Sequence, residues 1–391
     1  MSVALIGGFI REQEDLVGPR RSGIHGGMRT ETLPSREGPT GLIVGHFPLA
    51  PGEATVLIKG GLNRSPVWAF SSEQRRGVMR STLPDIQQLL WAGACLLLLA
   101  VPAAAQSDGE LNLKGAIDFH AHQAPDSVGR TMDADDEARA AKAAGMRGIV
   151  MKNHYEQTSS LAYLVRKIVP GIEIFGGITS DLANGGVNLE AVKHMVDTTG
   201  GYGRVIWLPT FDSETPQKVA HGVPSVPVSK DGKLLPNVLA LIDYISQHPQ
   251  LVLESGHVSP AEGLLMVHEA HARGVRHIVI THAMASGWSV AQMQEGARDG
   301  AYMEFVYSAT LDEHSRLTMA GYAAAIKAVG PEHCIMATDL GALHPNSPAP
   351  YPLEVPGFLD FMVQMHKAGI SVADIDLMSK TNPALALGLT P

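Results

Sequence analysis

The sequence predicts an α/β fold, a (β/α)8 barrel of the TIM type, and three observations carry that prediction. Between residues 115 and 338, eight short apolar runs alternate with amphipathic stretches, the pattern of a parallel sheet wrapped in helices. Several amphipathic stretches stop at a glycine just before the next apolar run: Gly145, Gly274, Gly300 and Gly330. No G-x-G-x-x-G follows the first run, which counts against the runner-up, an open doubly wound sheet that binds a nucleotide.

In chain order the strands fall at 115–120, 147–152, 172–178, 203–208, 250–255, 276–281, 301–306 and 333–338. Helices fit at 133–144, 160–168, 187–198, 236–248, 260–273, 289–298, 315–329 and 355–368. One insertion, "SETPQKVAHGVPSVPVSKDGKLLP", follows the fourth strand. Within it Asp231-Gly232 sits between apolar flanks, a hairpin signal, and the segment around His221 is a candidate lid.

The barrel is expected to occupy residues 106–391, because the first hundred residues read differently. Residues 1–74 are rich in Gly, Arg, Pro and Ser and show neither period. Arg75, Arg76 and Arg80 then precede an apolar centre from Leu89 to Val101 and the small residues Ala103, Ala104 and Ala105. That is the layout of an export signal cleaved before Gln106, and the apolar run is short of the roughly 20 residues that span a bilayer. The reading is therefore an extension over 1–78, poorly structured or upstream of a true start near Met79, a signal peptide over 79–105, and a periplasmic or secreted product. The Arg75-Arg76 pair also loosely fits a twin-arginine signal. No stable membrane span is expected after processing.

Composition narrows the function. A net charge of −9 gives no basic footprint for nucleic acid, and two cysteines give no disulfide framework. The 17 histidines are many for this length, and five of them fall at or just past the ends of predicted strands. "AIDFHAHQAPD" ends the first strand in His120 and His122. The second strand ends in Lys152 and His154, the fifth in Glu254 and His257, the sixth in His282 and the eighth in Asp339; the seventh carries Glu304. In a barrel of this kind, reactive groups sit at the C-terminal strand ends. Residues i and i+2 of a strand share a face, so His120 and His122 can aim into the mouth together. Imidazole suits zinc, iron and similar divalent ions. His257, His282 and Asp339 reach the same rim, and Asp339 can both bind a metal and take a proton from activated water.

These residues in this order resemble the amidohydrolase superfamily of metal-dependent hydrolases, an uncharacterised branch of it. Its members carry H-x-H on strand 1, histidines on strands 5 and 6, and an aspartate on strand 8, which His120, His122, His257, His282 and Asp339 match. "NPALALGL" near the C-terminus resembles the superfamily's closing helix. The resemblance implies a divalent metal, zinc first and iron or manganese next, as one ion or two. It implies hydrolysis of an amide, lactone or ester bond in a small molecule by metal-activated water, with Asp339 shuttling the proton. Two alternatives stand beside it: a metal-dependent decarboxylase or other carbon–carbon lyase on the same scaffold, and a non-catalytic ligand-binding relative.

One departure bears on metal number. Dinuclear members place a carboxylated lysine or a glutamate at the end of strand 4, where this chain has Leu208-Pro209-Thr210. Some relatives bridge from strand 2, which Lys152 would do as a carbamate; as an ammonium it would hold an anionic substrate or polarise a carbonyl. Lys152 and Glu304 thus join Asp339 as candidate catalytic groups. His154 and His344, the latter in the proline-rich loop after strand 8, are candidate substrate contacts. Self-association into a homo-oligomer is compatible with the sequence. His268 and His271 read as helix-surface residues.

Overall fold

The computed structural model describes residues 110–312, 315–343 and 351–391. The extension, the signal segment and His344 lie outside the described residues. The barrel strands are β1 (Ile117–Ala121), β2 (Gly148–Met151), β3 (Glu173–Thr179), β4 (Gly203–Trp207), β5 (Val252–Glu254), β6 (His277–Ile280), β7 (Ala301–Val306) and β8 (Cys334–Ala337). They lie in chain order, each parallel to the next. Just beyond the ends of β1 and β8 the ring closes: Ala121 bridges Leu340, the His122 N–H donates to the Leu340 carbonyl at 3.0 Å, and the Asp339 N–H donates to the His120 carbonyl at 2.7 Å. The described residues form a (β/α)8 barrel.

Its outer helices are α1 (Ala134–Ala143), α2 (Ser159–Ile168), α3 (Leu189–Val196), α5 (Pro236–Ser246), α6 (Pro260–Ala272), α7 (Val290–Arg298), α8 (Met319–Val329) and α9 (Glu354–Lys367), with the short α4 (Pro216–His221) inside the insertion. Local chemistry sets their starts. Ser259 with Glu262, and Ser289 with Gln292, form reciprocal capping boxes at α6 and α7. Helix α8 begins at Met319 rather than 315, because the Thr318 side chain accepts the Gly321 N–H and fixes the cap there. The sequence reading missed α4, which Thr215 caps and Pro216 opens. The expected hairpin is present: Ser229–Lys230 pairs with Lys233–Leu234. Asp231 and Gly232 both take positive φ, 52° and 73°, as a tight turn matched to the strand twist requires.

Two apolar clusters follow from strand alternation. One face of each strand packs outward against the helices. The other fills the barrel: Ile117, Phe119, Val150, Phe175, Val205, Trp207, Val252, Val279, Ile335 and Ala337 belong to one buried cluster with Ala384, Ala386 and Leu387 from the C-terminal end. Asn382 ties that end to the start of β8, its side-chain N–H groups donating to the carbonyls of Pro331 (2.9 Å) and Cys334 (2.7 Å). Gly177 is required in β3, since a Cβ there would run into the Val205 carbonyl and the Trp207 ring. Two residues further up the inward faces, apolar side chains give way to Lys152 after Val150, Glu254 after Val252, Thr281 after Val279 and Asp339 after Ala337.

Candidate metal centre at the barrel mouth

β1 shifts register between Asp118 and Ala121. Asp118 is spent on structure, its Oδ1 accepting the His120 and Thr338 N–H groups at 3.2 and 3.0 Å. Above the shift, five imidazoles form a closed circle. Centroid separations are 5.2 Å for His120–His122, 5.0 Å for His122–His154 and 5.9 Å for His154–His257. The circle closes with 4.8 Å for His257–His282 and 6.0 Å for His282–His120. The mouth thus gathers the four expected ligand histidines and His154.

His120, His122 and Asp339 form the tightest group, offering ligand atoms within 4.8 Å of one another. Hydrogen-bond direction decides what those atoms are. His122 Nδ1 lies 2.7 Å from the Lys152 carbonyl oxygen, which can only accept, so Nδ1 carries the proton. Burial and the nearby Arg130 push this imidazole down to about 3, so it is neutral and Nε2 is a bare lone pair. That lone pair faces Asp339 Oδ1 at 3.0 Å. His120 Nδ1 likewise donates to Glu304 Oε2 at 3.1 Å, and its Nε2 stands 3.1 Å from the same Asp339 oxygen. Two imidazole nitrogens and a carboxylate oxygen converging on one point, each histidine fixed through its other nitrogen, suit a divalent cation that displaces the His120 Nε2 proton.

The surrounding charges are strongly coupled. Burial and Lys152 press His120 down, but Asp339 and Glu304 outweigh them and raise it to about 9. Burial opposes ionisation of Asp339, yet His120 and His122 hold it well below the usual carboxylate range. Its Oδ2 accepts the Ser308 hydroxyl at 3.0 Å. Glu304 is fully buried and still held below its ordinary value, because His120 and the His282 N–H (2.9 Å) overcome the burial. Lys152 is also fully buried, which lowers it against the pull of Asp339, Glu254 and Glu304. Its Nζ lies 3.0 Å from His120 Nε2 and 5.6 Å from the Trp207 ring centroid. Glu254 stands at the end of β5 and is fully buried. Burial and Glu304 raise it to about 8, and Thr281 donates to it at 2.8 Å.

His282 and Asp339 take positive φ, 31° and 50°. Non-glycine residues in that region cost of order 1–3 kcal/mol and are found where the surroundings over-determine them. Here the His282 N–H is fixed on Glu304 and the Asp339 N–H on the His120 carbonyl. His282 Nδ1 lies 2.9 Å from the Ser286 hydroxyl. Burial keeps His282 down at about 4 and His257 well below the usual histidine value, so both face the mouth as neutral imidazoles. They line it beside the His120–His122–Asp339 group without joining it.

Sequence reasoning missed Asp181 and Thr210. Asp181 follows the end of β3 with its carboxylate fully buried, and its Oδ1 accepts the N–H groups of Thr210 and Asp212 at 2.8 and 2.9 Å. The Thr210 hydroxyl bonds Asp181 Oδ2 and also lies 2.8 Å from His154 Nδ1. The signal was available: Asp181 is an acid just past a strand's C-terminal end, the position from which the other site residues were read.

Residues 115–304 match the model of a family of unknown function (DUF6282). The match takes in every residue of the mouth named above up to Glu304 and stops before Ser308 and Asp339. No curated protein matches the chain. Among solved structures, the chain is similar to an amidohydrolase from Pseudomonas aeruginosa at 13% identity, over 70% of this chain and 95% of that one, with a TM-score of 0.47. It is similar to the organophosphorus hydrolase from Deinococcus radiodurans at 16% identity, over 71% and 93%, with a TM-score of 0.48. It is also similar to 2,6-dihydroxybenzoate decarboxylase from Rhizobium at 12% identity, over 70% and 99%, with a TM-score of 0.45.

Proposed function

We propose that the chain is a metal-dependent hydrolase of the amidohydrolase type that cleaves an amide, lactone or ester bond in a small molecule. The observation that carries this reading is the convergence of two imidazole Nε2 atoms, from His120 and His122, on one oxygen of the Asp339 carboxylate, at 3.1 and 3.0 Å. His120, His122 and Asp339 hold the ion, zinc first and iron or manganese next. A divalent metal of this kind lowers the pKa of a bound water to about 7 and polarises a carbonyl. Glu304 and the Lys152 carbonyl keep the two histidines in the ligating tautomer. Asp339, steadied at Oδ2 by Ser308, is the group placed to take a proton and return it to the leaving atom. Lys152, lowered by burial, is a donor for a substrate oxygen. His257 and His282 line the mouth as neutral donors or acceptors.

The test is a screen of lactones, esters and amides against zinc-loaded protein, scored by carboxylic acid release that chelation abolishes. No acid release from any of them, with metal bound, would overturn the reading. One observation favours a second reading, the carbon–carbon lyase. Among the described residues only one group of three can hold an ion, as a mononuclear site would. Carbon dioxide release from aromatic acids in the same screen would establish it. We also propose that the protein is exported and that its mature chain begins near Gln106, which mass spectrometry of the native N-terminus tests. A mature protein that retained residues 1–78 would refute it.

A further inference from the structure

We propose that Asp181 and Thr210 are positioning residues that hold His154 in the Nδ1–H tautomer, leaving Nε2 as an unprotonated acceptor within the imidazole circle. The argument is one of proton counting. Asp181 Oδ1 already accepts two backbone N–H groups, from Thr210 at 2.8 Å and Asp212 at 2.9 Å, the environment of a carboxylate. Oδ2 then accepts the only proton of the Thr210 hydroxyl. Toward His154, 2.8 Å away, Thr210 Oγ1 can therefore only accept, and Nδ1 must supply the hydrogen.

The ring is held so that it cannot turn away. Phe211 stacks on it at 3.6 Å with planes 14° apart, and the His122 ring stands 5.0 Å from it with planes 24° apart. The Thr179 hydroxyl anchors the His154 carbonyl at 2.5 Å. Nε2 has no hydrogen-bond partner among the described residues. It is thus a hydrogen-bond acceptor placed between His122 and His257, suited to a hydroxyl or amide N–H of a bound molecule. That use of Nε2 rests on the hydrolase reading; the tautomer itself does not, because it is read without substrate or activity.

The experiment is ¹⁵N NMR of protein labelled at histidine nitrogens, with the His154 signals assigned by their loss in His154→Gln. The expected wild-type result is a protonated Nδ1 and a bare Nε2. Asp181→Asn should reverse it. The amide oxygen keeps the two backbone N–H groups, so the NH2 points at Thr210 Oγ1, the hydroxyl turns to donate into His154 Nδ1, and the ring proton moves to Nε2. Thr210→Ser should retain the wild-type tautomer, whereas Thr210→Val should lose it. The two threonine variants decide the matter if Asp181→Asn does not fold. A purely structural role for Asp181 would leave the ring proton where it is. Nε2–H in the wild type, a ring protonated at both nitrogens, or an unchanged tautomer in Asp181→Asn or Thr210→Val would overturn the proposal.

Discussion

His122 Nε2 and Asp339 Oδ1 stand 3.0 Å apart, two acceptors face to face, because the only proton on the ring is committed to the Lys152 carbonyl at 2.7 Å. A cation between them relieves that opposition. His122→Ala is expected to abolish metal binding while the barrel stays folded, since His122 belongs to neither apolar cluster. Elemental analysis and circular dichroism check this together. A variant that kept its full metal content would show that the ion sits elsewhere.

Metal affinity should depend on pH through His120. In the ion-free protein this group is pushed up to about 9, so at neutral pH it carries a proton that an incoming cation must expel. His122, at about 3, and Asp339, well below its usual range, hold none to expel. Affinity should therefore climb about tenfold per pH unit up to pH 9 and then level off. The ion-free fold has the complementary dependence. A histidine pKa raised above its ordinary 6.5 adds stability that is fully present below that value and is lost as pH rises through 9. Calorimetric titration in buffers of different ionisation enthalpy reads the proton release directly. Affinity independent of pH between about 6 and 8 would contradict the assignment.

Glu304 ties two of the histidines together, accepting from His120 Nδ1 at 3.1 Å and from the His282 N–H at 2.9 Å through one oxygen. Partners that orient a ligating histidine typically contribute 10–100-fold to metal affinity. Glu304→Gln replaces the carboxylate with a neutral amide and places an NH2 donor in a buried site where the Glu304 Oε1 has no hydrogen-bond partner among the described residues. The expected outcome is a fall in metal affinity of about that size with the fold retained. Competition against a fluorescent chelator measures it, and unchanged affinity would reduce Glu304 to a packing role.

The barrel was legible because its two periods are local. Apolar runs mark the strands, and glycines such as Gly145 and Gly300 mark where helices stop. Site residues read from strand ends also meet in space, because eight parallel strands deliver those ends to one rim. What stayed hidden depends on contacts far apart in the chain. Alternation counted up from Ile117 and Phe119 would turn His120 outward; the register shift in β1 brings it in, and only the pairing with β2 reveals that. The Asp181–Thr210 bond spans 29 residues and the His120–Glu304 bond 184, so neither has a spacing rule to betray it. α4 was missed because six residues inside an insertion give too short a window for a 3.6-residue period.

Asp339 carries the most specific expectation about turnover. Its backbone sits at φ 50°, a region that asparagine tolerates about as well as aspartate, so Asp339→Asn should fold without added strain. The amide oxygen can keep an approach to the ion from the side that His120 and His122 face, and the NH2 group can replace the carboxylate oxygen near Ser308 by reversing that hydrogen bond. Metal content should therefore fall little. An amide cannot take a proton from water at neutral pH, and general acid–base work by a positioned carboxylate contributes about 10²–10⁴-fold in rate. The expected outcome is a loss of kcat in that range at nearly full metal occupancy. The check is kcat normalised to bound metal, with whichever lactone, ester or amide the screen identifies. Near-normal kcat in the variant would remove Asp339 as the proton shuttle and leave Glu254, raised to about 8 by burial and Glu304, as the acid–base group next in line.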